Sequence, residues 1–143
     1  MQITVSTVSL TVDDVAASRR FFTSHLGYEE IAAADGFASL TRGDAAVDIV
    51  LLRRGTEVLS ADQRDRHATG IVLAFTVTGV EDEERRLRER GVAITMPLRR
   101  EPWGETLFQV TDPNGIVVRF VEWTAPAGAA VPSAGGTSTR TAG

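Results

Sequence analysis

A chain of 143 residues, 43% hydrophobic and 24% charged, has the composition of an ordinary globular protein and enough length for one compact core. Its net charge of -4, with arginine as the only strong base, argues against a nucleic-acid binder, which needs a clustered basic face to displace counterions. The lack of cysteine excludes disulfides, thiolate metal ligands and a thiol nucleophile; no apolar run reaches the roughly 20 residues of a membrane span, and "MQITVSTVSL" lacks a basic leader, so the cytoplasm is the expected compartment.

The alternating, β-branched "ITVSTVSLTV" predicts a first strand. In "DDVAASRRFFTSHLG", an aspartate N-cap, Val15, Phe22 and Leu26 at helical spacing and a stop at Gly27 predict an amphipathic helix. Three short strands follow, "YEEIAAA", "GFASLTR" and "AAVDIVLLRR", separated by the turn sequences "ADG" and "RGDA". Residues 54–70 form a linker long enough to cover a cavity or a partner. The order then repeats. "IVLAFTV" is a strand, and "TGVEDEERRLRERG" is a helix with a Thr78/Glu81 capping box and charge pairs Glu81/Arg85, Asp82/Arg86 and Glu84/Arg88 on a solvated face. "VAITMPLRR", "ETLFQVT" and "IVVRFVEW" complete the second set of strands. Val12 and Val15 correspond to Val77 and Val80, and Gly27 corresponds to Gly91, so the chain reads as a duplicated βαβββ unit. The units span about 4–53 and 71–123 within one domain, 1–123, and the Ala/Gly/Pro/Ser/Thr-rich stretch 124–143 reads as a flexible tail.

The tandem units, the strand-Asp-helix "VDDVAASRRFF", the "PWG" and the "DPNG" before the last strand together resemble the vicinal oxygen chelate superfamily of glyoxalases, extradiol dioxygenases and bleomycin-resistance proteins. The resemblance covers about residues 4 to 123 and implies an α+β fold with a cupped mixed sheet, and a homodimer. It also implies that metal ligands, where the family has them, sit on the first and last strand of each unit. Here those positions fall on Thr7, Asp48, Val72 and Arg119. Valine has no lone pair to give, a threonine hydroxyl is a weak ligand, and a guanidinium repels a cation, so no metal and no other cofactor is expected. His25 and His67 lie off these strands and read as surface residues.

Asp48 and Arg119 are each a single charge in an apolar strand; an Asp48 to Arg119 ion pair at equivalent places of the two units is the expected replacement for the metal, and two charges that simply face water are the alternative. The same resemblance puts groove aromatics at Phe37 and Trp103; with Thr7 and Val50 these complete the expected ligand-binding set. Packing in the core or at a dimer interface is the alternative for both rings. The expected function is metal-independent sequestration of a partly aromatic natural product or antibiotic, without catalysis. A metal-free cyclase, hydrolase or isomerase with Asp48 as base and Arg119 at an oxyanion is the alternative, and a metal-dependent lyase or dioxygenase comes third.

Overall fold

The computed structural model describes residues 1–124, so all but the first residue of the expected tail lies outside the described residues. Two units with one topology follow each other. The first comprises β1 (Thr7–Val12), α1 (Val15–His25), β2 (Glu29–Ala34), β3 (Phe37–Thr41) and β4 (Asp48–Arg53). A short helix, α2 (Ala61–Arg64), interrupts the linker. The second unit comprises β5 (Val72–Thr76), α3 (Val80–Glu89), β6 (Ile94–Arg100), β7 (Glu105–Thr111) and β8 (Val117–Trp123). The sheets run β1-β4-β3-β2 and β5-β8-β7-β6, with the first and last strands of each unit parallel and the other pairs antiparallel. This is the α+β, tandem βαβββ architecture that the sequence implies.

Alternation along the strands gives each sheet two faces. Ile49 and Leu51 of β4, and Val118 and Phe120 of β8, turn toward the helices and are almost fully buried. They join Phe22, Leu87, Phe108 and Leu10 in a core cluster shared by both units. Asp48, Val50, Val117 and Arg119 occupy the opposite face, hereafter the cup face, and are half-buried.

Both main helices stop in the same way. Gly27 and Gly91 adopt φ of +73° and +80°, a left-handed conformation that glycine enters without a Cβ clash. The following amides, Tyr28 and Val92, return to the carbonyls of Phe22 and Leu87. Their N-termini differ. Asp14 caps α1 by accepting from the Ala17 amide at 3.1 Å, as its sequence predicts. The Thr78/Glu81 box on α3 does not form, because Gly79, in a left-handed conformation, takes the N-cap. The Glu122 carboxylate of β8 accepts from the Gly79 and Val80 amides instead, both at 3.1 Å, and places negative charge at the positive end of the helix. Of the three charge pairs expected on α3 only Glu84/Arg88 forms; Asp82 pairs with Arg85, Glu83 with Arg86, and Glu81 with Arg100.

The units are joined at the "DPNG" turn. Asp112 is 4% exposed, and its carboxylate accepts from the Ser18 hydroxyl at 2.5 Å, the Asn114 amide at 2.9 Å and the Ile116 amide at 2.8 Å. Asn114 in turn donates to the Asp14 carbonyl and to Ser18 Oγ, both at 2.7 Å, and accepts from the Asp14 amide. A buried carboxylate with three donors leaves those donors stranded when it is removed. Asp112→Ala is therefore expected to lower unfolding free energy by about 3 kcal/mol, read as a fall in the urea midpoint, whereas Asn114→Ala on the outer side of the turn costs less.

Candidate functional site

The cup face of the second sheet is built from β5, β8 and β7. Arg119 lies opposite Ala74 on one side and Gln109 on the other. Its Nε and Nη2 donate to Gln109 Oε1 at 2.9 Å and 2.6 Å. Among the described residues the Arg119 guanidinium makes no ion pair. On the first sheet, Asp48 sits opposite Thr7 of β1, and its Oδ1 accepts from the Thr41 hydroxyl at 2.7 Å.

The expected Asp48 to Arg119 pair is therefore not formed within the chain: each residue has a neutral partner on its own sheet. Nor do the two occupy equivalent places. Ser9 pairs with Val50 and Ala74 with Arg119, and Ser9 and Ala74 are separated by the 65-residue repeat, so the counterpart of Arg119 is Val50. Asp48 corresponds to Val117, which pairs with Val72 as Asp48 does with Thr7. The cross-strand partners confirm this, since Ser39 lies opposite Val50 as Gln109 lies opposite Arg119.

The register changes the metal question. With Val50 in place of Asp48, the four positions for family metal ligands hold Thr7, Val50, Val72 and Arg119. This set contains neither carboxylate nor imidazole, and it carries a permanent positive charge where a divalent ion would sit. Among the described residues, no group of three or more His, Cys, Asp or Glu side chains is arranged to hold a metal ion. The residues present do not fit the metal.

The two candidate aromatics lie on different sheets. Trp103, 54% exposed, stands in the loop before β7, where its indole Nε1 donates to Glu105 Oε1 at 3.0 Å. Phe37 opens β3 opposite Leu52 and borders a pocket of about 490 Å³ between the start of α1 and the β2–β3 turn. The two rings do not touch. Gln109 and Thr41 were not singled out from sequence. Once the cup face is identified, the place of Gln109 opposite Arg119 and the Thr41 hydroxyl within hydrogen-bond reach of Asp48 are the signals.

A larger cavity, about 1100 Å³, lies at the seam between the units. It is bordered by the end of α1, the β3–β4 loop, β5 and α3, with Tyr28, Phe75 and Phe120 as its aromatic walls. Tyr28 donates to the Val47 carbonyl at 2.8 Å, and burial pushes its phenol pKa up to about 12. At its edge His25 Nδ1 accepts from Arg90 Nε at 3.0 Å. Burial, and then the charges of Arg90 and Arg86, hold the His25 pKa below its ordinary 6.5.

Two four-stranded sheets of the same topology, each with parallel first and last strands flanking the cup positions, define the class of protein. The family model for the Glyoxalase/Bleomycin resistance protein/Dioxygenase superfamily matches residues 4–120, and the chain belongs to that superfamily. Among solved structures, a glyoxalase/bleomycin resistance protein/dioxygenase from Nocardioides is 23% identical over 90% of this chain and 88% of its own, with a TM-score of 0.70. TioX from Micromonospora sp. ML1 is 19% identical over 85% and 99%, with a TM-score of 0.68. Lactoylglutathione lyase from Agrobacterium tumefaciens is 20% identical over 83% and 92%, with a TM-score of 0.66. At these identities the likeness is one of fold. No curated protein matches the chain significantly in sequence.

The depressed His25 pKa makes a pH prediction. A base whose pKa is lowered by folding is protonated first in the unfolded chain, so its contribution reduces stability as pH falls below 6.5. Melting temperature is expected to drop across that window, and His25→Asn is expected to flatten part of the drop. A proton-NMR titration of His25 with a midpoint at or above 6.5 would contradict the assignment.

Proposed function

We propose that this protein is a metal-independent binding protein that sequesters a small, partly aromatic molecule on its cup face, in the manner of a self-resistance protein. One observation carries the reading: the four strand positions that would carry metal ligands hold Thr7, Val50, Val72 and Arg119. What remains on these strands is a surface with apolar stretches, Val50, Val72, Ala74 and Val117, a cation, Arg119, on one sheet and an anion, Asp48, on the other. Such a surface suits a ligand that is flat and mostly apolar. Trp103 supplies an exposed ring at its margin, with Phe37 the candidate ring on the other sheet.

A second copy of the chain completes the cup in this reading. Among the described residues β1 and β5 are edge strands, each hydrogen-bonded on one side only, and Ile71 and Val72 beside the β5 edge are 41% and 46% exposed. Long apolar edges of this kind are normally covered. The alternative is a metal-free enzyme, since a lyase shares the fold. It is supported by Asp48, a half-buried carboxylate on the cup face whose partner is the Thr41 hydroxyl rather than an arginine.

One measurement tests the completed cup, and a second separates the two readings. Sedimentation equilibrium is expected to give a dimer, and a ligand incubated with metal-free protein is expected to return chemically unchanged by mass spectrometry. Turnover that is lost in Asp48→Asn would establish the enzyme instead. Within the binding reading, Trp103→Ala is expected to weaken affinity about two- to twelvefold, the effect of one stacked ring worth about 0.5–1.5 kcal/mol. Unchanged affinity in that variant would remove Trp103 from the site.

A further inference from the structure

We infer that the cup selects ligands carrying a carboxylate, and that Arg119 is the group that receives it. This rests on the cup-binding reading and names the chemistry of its ligand. Nine arginines of the described residues, Arg19 and Arg42 among them, are paired with a carboxylate; Arg20, Arg64, Arg66 and Arg90 are not, but they lie on or beside the helices, off the cup strands. Arg119 is half-buried and paired with none; its partner is a neutral amide. Residues 125–143 contain neither aspartate nor glutamate, so no side chain there supplies a carboxylate.

Gln109 does one thing that a glutamate there would also do, and one that it would not. It fixes the plane of the guanidinium by accepting from both Nε and Nη2. It does so without cancelling the charge. A guanidinium has five N–H donors. With two engaged by Gln109, three remain, and one on Nη1 and one on Nη2 point in parallel along the far edge of the fork. That edge matches the two oxygens of a carboxylate. The residues around it on the cup face are apolar: Ala74 opposite on β5, with Val117 and Val121 two places away along β8. An apolar surround strengthens a charged hydrogen bond and penalises a cation left without a counter-ion. The positive charge also disfavours cationic ligands. Together with the aromatic margin, these features describe a planar aromatic carboxylate.

The test uses a matched pair of probes, naphthalene-2-carboxylate and the neutral naphthalene-2-carboxamide, titrated by calorimetry into full-length protein in metal-free buffer. Wild type is expected to bind the carboxylate roughly ten- to a hundredfold more tightly, the value of a charged hydrogen-bonded contact. Arg119→Gln is expected to bind both probes alike, at the carboxamide's affinity. Gln109→Glu, which leaves the arginine in place but neutralises it, is expected to lose the preference while keeping carboxamide binding. A folded wild type that binds both probes equally overturns the inference but leaves the cup-binding reading intact. Preference that survives in Arg119→Gln also overturns it. If a preference appears only in Asp48→Asn, then Asp48 of a second copy occupies Arg119 and the inference is again overturned. Failure of wild type to bind either probe counts against both the inference and the reading beneath it.

Discussion

The Asp112 carboxylate holds the two halves of the molecule in register. It is buried, it accepts from the Ser18 hydroxyl on α1, and it accepts from the amides of Asn114 and Ile116 that open β8. The first contact attaches the second unit to the helix of the first. The other two fix where the turn ends and the strand begins, and hence which residue of β8 meets which residue of β5 and β7. A one-residue slip would exchange the faces of the strand, turning Arg119 into the core and Phe120 onto the cup. The polar network at one end of the strand thus determines the position of the cation near its middle.

Duplication supplies the architecture, and divergence supplies the site. In the first unit Ser18 is buried against Asp112. The residue 65 positions further on is Glu83, which faces the Arg42 side of the β3–β4 loop across the seam cavity. A hydroxyl and a carboxylate close one seam, whereas two charged side chains with partners of their own leave the other open, because burying them would cost more than contact returns. The cup face shows the same contrast. Val50 and Arg119 hold equivalent positions, one apolar and one charged, so a site that the repeat would make symmetric has one polar end.

Much of the fold was legible because it rests on local signals. Period-two alternation gave the strands, Asp14 and Gly27 bracketed α1, and "DPNG" marked the last turn. The site was less legible because it depends on register. Asp48 and Arg119 look equivalent as lone charges in apolar strands, yet the ladders offset them by two residues. Their partners Thr41 and Gln109 are cross-strand neighbours, which no one-dimensional pattern reveals. The cap of α3 failed for a similar reason: the sequence offers a local box, while the structure brings Glu122 from 43 residues away. The absence of suitable metal ligands survived the correction, and became more complete when Val50 replaced Asp48 in the set.

The register places four side chains where a metal site can be built by substitution alone. Thr7→His, Val50→Glu, Val72→His and Arg119→Glu, combined in one chain, place two imidazoles and two carboxylates at the positions now lacking donors. Nickel bound per folded chain, measured by elemental analysis after dialysis, tests this directly. The account predicts about one ion per chain in the quadruple variant and none retained by wild type. A folded variant that takes up no nickel, or a wild type that retains as much, would contradict it.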